Sequence, residues 1–72
     1  MSDICTAFGK RVRELRLAKG FSQEKLAEMT GLHRNYIGGI ERGERNVGLE
    51  NIQKIANALS ETLSSMMTGV GN

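Results

Sequence analysis

Arg34, Asn35 and Tyr36 stand in succession just after the turn Thr30-Gly31-Leu32, and each carries hydrogen-bonding chemistry suited to the edge of a base pair. An Arg guanidinium can donate two bonds at once to guanine O6 and N7, a contact worth about 1–3 kcal/mol of discrimination. An Asn amide can pair in the same way with adenine. Asn also has poor helix propensity, so a purely structural helix has little reason to carry it. Tyr36 offers a ring for a thymine methyl and a hydroxyl for a phosphate, or it covers the seam between two helices; the residue type suits both. The plainer alternatives are a solvated Arg34 and an Asn35 bonded to its own backbone. His33, just before these residues, suits a capping or phosphate contact better than base reading.

Two glycines follow, Gly38 and Gly39. In a helix interior they cost about 2 kcal/mol together relative to Ala, which points to close approach of another surface; the plainer alternative is drift at a tolerant position. Arg42, Arg45 and Asn46 come next and suit contacts to the phosphate backbone, which position a protein on a duplex without reading sequence. Arg45 has a second option, insertion into a narrowed minor groove.

These groups need a rigid support, and the chain reads as helices throughout. From about Asp3 to Lys19, Ile4, Phe8, Val12 and Leu15 repeat on one helical face, and Gly20 supplies a stop. Ser22 is a good N-cap for a second helix running to about Met29, with Glu24 in its first turn and Ala27 facing the next helix. Gly31 can take the left-handed conformation needed for a sharp turn. A third helix is expected over about His33 to Arg42, with Leu32, Ile37 and Ile40 aimed inward and Gly43 ending it. Leu49, Ile52, Ile55, Ala56 and Leu59 form one apolar stripe on a fourth helix, about Leu49 to Leu59, which Gly48 caps only weakly. A last helical piece should start after Thr62 and carry Leu63, Met66 and Met67, with the tail Gly69 to Asn72 fraying. The absence of proline and of alternating apolar runs completes an all-α reading, a compact five-helix bundle in one domain over residues 1–72.

At 72 residues such a domain buries only about 60% of its unfolded surface, so pairing with a second copy is physically reasonable. Leu63, Met66 and Met67 are the candidate dimer surface; the alternative is that they close the monomer's own core. Residues 1–45 hold nine of the ten Lys and Arg residues against six acids, whereas residues 46–72 hold one base and two acids. The basic half is also the half bearing Arg34 to Asn46, which suits an anionic partner. One cysteine and one histidine make neither a disulfide nor a structural zinc site. No cofactor, metal or small-molecule ligand is expected. With no apolar run of signal-peptide or membrane-span length, no membrane partner is expected and the cytoplasm is the default compartment. No recognised catalytic array places the Ser, His and carboxylate residues together, so an enzyme is not expected.

The motifs KGFSQEKLA (Lys19 to Ala27), TGL (Thr30 to Leu32) and IERGERN (Ile40 to Asn46) resemble the phage-repressor-like helix-turn-helix family, over about residues 8–67. Within it, RNYIGGIERGERN most resembles the controller proteins of restriction–modification systems. The resemblance implies a five-helix DNA-binding domain acting as a homodimer on a palindromic operator, with His33 to Gly39 inserted in the major groove. It also implies that Gln23 contacts phosphate and that Arg16 and Glu41 form a partly buried ion pair. At the family position of Gly39 a base-contacting side chain is common, so its loss would concentrate reading at the front of the helix. Family members often carry Pro-Ser where this chain has Val47-Gly48, leaving the start of helix 4 less constrained.

A transcriptional regulator is thus expected, with double-stranded DNA and a second copy as partners and RNA polymerase as a further candidate. The short tail after Met67 suggests control by concentration rather than by an effector. An antitoxin or a phage-type repressor would share the fold, although an antitoxin needs a toxin-binding segment for which the tail leaves little room. In a protein-interaction module the basic residues would be ordinary solubilising charge. Salt dependence separates these classes, because displacement of counterions from several phosphates makes DNA affinity fall steeply with salt.

Overall fold

The computed structural model describes residues 3–71. Five helices follow in order: α1 Asp3–Ala18, α2 Gln23–Thr30, α3 Arg34–Glu41, α4 Leu49–Ala58 and α5 Leu63–Met66. All five expected helices form, with ends within about a residue of the expected ones. The described residues contain no strand. No helix among them is long and apolar enough to cross a membrane.

The caps read from the sequence are present as hydrogen bonds. Ser22 Oγ accepts from the Lys25 N–H at 3.0 Å, His33 Nδ1 from the Asn35 N–H at 3.0 Å, and Thr62 Oγ1 from the Ser65 N–H at 3.0 Å. Each satisfies a backbone donor that a helix start leaves open. Gly48 leaves α4 without a side-chain cap. Between α2 and α3, Gly31 takes the left-handed conformation at φ 74° and its N–H donates to Ala27 O at 2.9 Å. Thr30 Oγ1 then accepts from the Leu32 N–H at 3.2 Å, so one threonine hydroxyl and one glycine make the sharp turn.

Val12, Leu26, Ile37, Ile55, Leu59 and Met66 are fully buried and, with Phe8 and Ile40, join all five helices in one core. α3 packs against both α1 and α2, which fixes the direction of its outer face. The closest approach is at Gly9 of α1. A Cβ there would fall inside the van der Waals shell of the Ile40 carbonyl oxygen and 2.9 Å from that of Glu41. Arg11 ties α1 to α5, its Nε donating to Ser65 O at 2.9 Å and its Nη2 to Ser65 Oγ at 3.2 Å.

Three expectations are corrected by this packing. The apolar stripes do not reach the core at their ends, since Ile4 is 51% and Leu49 81% exposed. Both lie in first turns, beyond the layer where the helices cross. Met66 is wholly buried and belongs to the monomer's core, leaving Leu63 and Met67 exposed. The tail does not fray as far as Gly71. Val70 packs on the core, its N–H donates to Met67 O at 2.9 Å, and Gly71 lies beside Ile4. Asn72 lies outside the described residues.

Candidate nucleic-acid interface

Helix α3 is amphipathic over only eight residues. Ile37 and Ile40 face inward, while its first turn carries Arg34 and Asn35 into solvent. Among the described residues neither side chain has a hydrogen bond or ion pair, so their donors and acceptors remain available to a ligand. His33 is spent on the cap, as the residue type suggested. Tyr36 is half-buried. Its hydroxyl accepts a bond from Asn51 Nδ2 of α4 at 3.2 Å, so the ring lies toward α4 rather than only over the α2–α3 seam. Because the Asn51 amide occupies a lone pair, the phenolic proton stays free to donate outward.

Behind this front, Arg16 and Glu41 form the expected ion pair. Arg16 Nε and Nη2 donate to Glu41 Oε2 and Oε1 at 2.6 and 2.9 Å, and Arg16 Nη1 donates to Phe21 O at 2.8 Å. The two side chains are 8% and 3% exposed. The hydrogen bond to Glu41 raises the Arg16 pKa further above its ordinary value, although burial pulls it the other way, so the guanidinium stays charged. Gln23 extends the pair to the protein surface: its Nε2 donates to Glu41 Oε1 at 3.1 Å. One amide N–H is thereby directed inward, and the half-buried Gln23 keeps its second N–H for an outside acceptor.

After α3 the chain doubles back. Gly43 is left-handed at φ 78°, its N–H donates to Ile40 O at 3.0 Å, and the Glu44 N–H donates to Gly39 O at 2.9 Å. These two bonds are the paired signature of a Schellman reversal. A Cβ on Gly43 would also meet Thr6 Cα of α1 at 2.8 Å, so both conformation and space require glycine. Arg42 is held by Glu44, with Nε and Nη2 donating at 3.0 and 3.2 Å. That bond raises the Arg42 pKa and lowers that of Glu44, and both groups remain at the surface. Arg45 and Asn46 are exposed, and the Arg45 guanidinium carbon lies 5.8 Å from the centroid of the Tyr36 ring.

Gly38 and Gly39 are buried because arginines cover them. A Cβ on Gly38 would lie 3.0 Å from Arg42 Nη1, and one on Gly39 would lie 3.2 Å from Arg45 Cγ and Nε. The close surface that the two glycines suggested is therefore the chain's own return loop. Gly39 is buried and Arg45 takes its place on the face of α3, so at the end of the His33 to Gly39 run expected in the major groove, Gly39 is corrected from a base-contacting position to one covered by the chain itself.

Apolar residues also line a hollow away from this face. The exposed Ile4 and Met67, the half-buried Val47 and Ile52 and the buried Phe8 enclose about 110 Å³ between the start of α1, the α3–α4 loop and the segment after α5. Leu49 stands one turn before Ile52 on the same side of α4.

Comparison with known proteins places these features in a lineage. The helix-turn-helix family profile matches residues 12–65. Control protein C.BamHI of Bacillus amyloliquefaciens is 49% identical over 74 residues, an alignment that spans 99% of this chain and 91% of the relative. The crystal structure of the restriction–modification controller protein C.AhdI from Aeromonas hydrophila superposes with a TM-score of 0.84 at 55% identity, covering 86% of this chain and 94% of that one. The chain belongs to the controller branch of the helix-turn-helix family. Another controller, C.Esp1396I, matches with a TM-score of 0.87 at 30% identity over 96% of this chain and 91% of its own; that protein was crystallised as a tetramer with its natural 35 base-pair operator.

Sequence reasoning about this controller missed Gly9, Asn51 and Arg11. Gly9 and Arg11 sit within an ordinary helical repeat, where nothing marks which helix will cross them. Asn51 is one of several polar residues on α4, and only the crossing of α3 and α4 singles it out.

Proposed function

We propose that this chain is a sequence-specific DNA-binding transcriptional regulator of a restriction–modification system, acting as a homodimer on a palindromic operator and controlling transcription through its occupancy. The observation that carries the reading is the front of α3, where Arg34 and Asn35 stand exposed with their hydrogen-bonding groups unspent. The core and the Arg16–Glu41 pair hold that turn outward. The controllers to which the chain is similar support the same role, and the operator complex of C.Esp1396I supports DNA as the ligand.

In this reading residues 1–72 form one binding unit. Arg34 and Asn35 read base edges in the major groove, Tyr36 donates its hydroxyl proton to a base or phosphate, and Arg45 faces the duplex beside it. Gln23, Arg42 and Asn46 hold the backbone, with Arg42 exchanging Glu44 for phosphate. His33 acts chiefly by capping α3. Two copies join through Ile4, Leu49, Leu63 and Met67, four of the large apolar side chains that the single copy leaves exposed. Their α3 helices would lie about 34 Å apart, one turn of the duplex. The chain acts by binding alone, without catalysis, and a cytoplasmic location goes with that role.

Selection from randomised duplexes tests the reading. Wild type should enrich a two-fold-symmetric sequence, and its affinity should fall steeply as salt rises. Arg34→Ala should lose about 1–3 kcal/mol of preference at one base pair in each half-site while keeping weak binding to random DNA. Equal losses on specific and random duplexes would make Arg34 a phosphate contact. Failure of the wild type to bind any duplex at low ionic strength would end the proposal.

A further inference from the structure

The return loop after α3 lies along the helix instead of leaving it, and one glycine makes this possible. The reversal at Gly43 and the Glu44 N–H bond to Gly39 O bring Arg45 back over the last turn of α3. The stem of Arg45 then crosses Gly39 so closely that a Cβ there would lie 3.2 Å from both Cγ and Nε and 3.7 Å from Cδ. Its guanidinium reaches toward Tyr36, three residues earlier on the same helical face. Arg45 therefore runs back along α3 toward the turn that bears Arg34 and Asn35.

Gly38 and Arg42 are arranged in a similar way, but Arg42 is bound in two places by Glu44. Glu44 acts on Arg45 only through space, and among the described residues no hydrogen bond or ion pair with a carboxylate holds Arg45, so its guanidinium donors are open. An exposed arginine on a loop ordinarily loses much rotamer freedom when it binds, and a side chain already laid against a glycine and an aromatic ring loses less.

We infer that Gly39 is a positioning residue for specific recognition: its missing side chain is the seat that holds Arg45 on the face of α3, so that a loop arginine reads DNA in place of a helix side chain. This rests on the DNA-binding reading above. The glycine acts through Arg45 and touches no ligand itself.

The seat makes stability and recognition move in opposite directions. Gly39→Ala should raise the melting temperature by about 4–8 °C, because alanine is the better helix former and the flexible Arg45 can move aside. The same change should weaken binding to the selected duplex by about tenfold, within the range for losing one charge-assisted base contact, and change binding to random duplex far less. Arg45→Ala should do the same, and Gly39→Ala added to Arg45→Ala should cost nothing further.

The full-length chain and the three variants would be titrated against the selected duplex and a random duplex of equal length. In parallel, the 15N heteronuclear NOE of Arg45 Nε in the DNA-free protein reports the seat directly. It should be backbone-like in the wild type and fall in Gly39→Ala. Losses that multiply in the double variant, unchanged specific binding by Gly39→Ala, or an Arg45 Nε already mobile in the wild type would each overturn the inference. Absence of any wild-type complex would instead defeat the DNA-binding reading itself.

Discussion

Replacing Glu41 with Ala should unfold much of this protein, although Glu41 is itself buried and reaches the DNA-facing surface only through Gln23. Glu41 accepts three hydrogen bonds, two from Arg16 and one from Gln23, and its side chain is 3% exposed. Without it the Arg16 guanidinium, 8% exposed, keeps only the Phe21 carbonyl as partner. Stranding one member of such a pair costs about 3–5 kcal/mol. A domain of 72 residues has a net stability of roughly 4–11 kcal/mol, so this loss is a large fraction of the whole. At about 4–8 °C per kcal/mol, the melting temperature should drop by about 12 °C or more. The double replacement Arg16→Met with Glu41→Leu removes both charges and fills the space with apolar atoms, and it should recover at least half of that drop. Circular dichroism at 222 nm gives the melting curves, and duplex titration below the lowest midpoint shows whether folded double variant still binds. A Glu41→Ala curve within a few degrees of wild type would refute the reasoning. A double variant that folds but binds no duplex would show that the pair does more than support α3.

Three further outcomes follow from the packing. Gly9→Ala should destabilise by about 1–3 kcal/mol despite alanine's better helix propensity, because the added Cβ meets backbone oxygens of α3 that move only with the whole helix; urea denaturation measures it, and a stabilised variant would disprove the close approach. Asn51→Ala should remove the bond to the Tyr36 hydroxyl at a cost of about 0.5–1.5 kcal/mol, and specific DNA affinity should fall while random-duplex affinity holds; affinities unchanged from wild type on both duplexes would make the bond a packing detail. Leu49→Lys should shift sedimentation toward the monomer and weaken operator binding at low protein concentration, with little effect on the monomer's own fold because Leu49 is 81% exposed. Unchanged self-association would move the dimer surface elsewhere.

Much of the architecture is local chemistry and was therefore legible in the chain. Ser22, His33 and Thr62 cap helices because a side-chain acceptor two or three residues before an open N–H needs no distant partner. Gly31 and Gly43 mark reversals because a positive φ is a property of one residue. Helical spacing likewise identified Phe8, Val12, Ile37, Ile40 and Ile55 as core. The motif residues identified the family and, through it, the Arg16–Glu41 pair.

What remained depends on where helices cross, and spacing along one helix carries no information about that. Ile4 and Leu49 continue their apolar stripes perfectly well yet end outside the core, while Met66 ends inside it. Asn51 finds the Tyr36 hydroxyl only because α4 passes α3 there. Gly38 and Gly39 announced a close neighbour, but its identity as Arg42 and Arg45 required the chain to turn at Gly43 and fold back. The sequence alone thus determined the helices, their caps and the polar front of α3, all set by contacts within a few residues. Tertiary structure alone decided which apolar ends stay exposed and which arginine lies on the face of α3, because both depend on atoms brought together from different helices and loops.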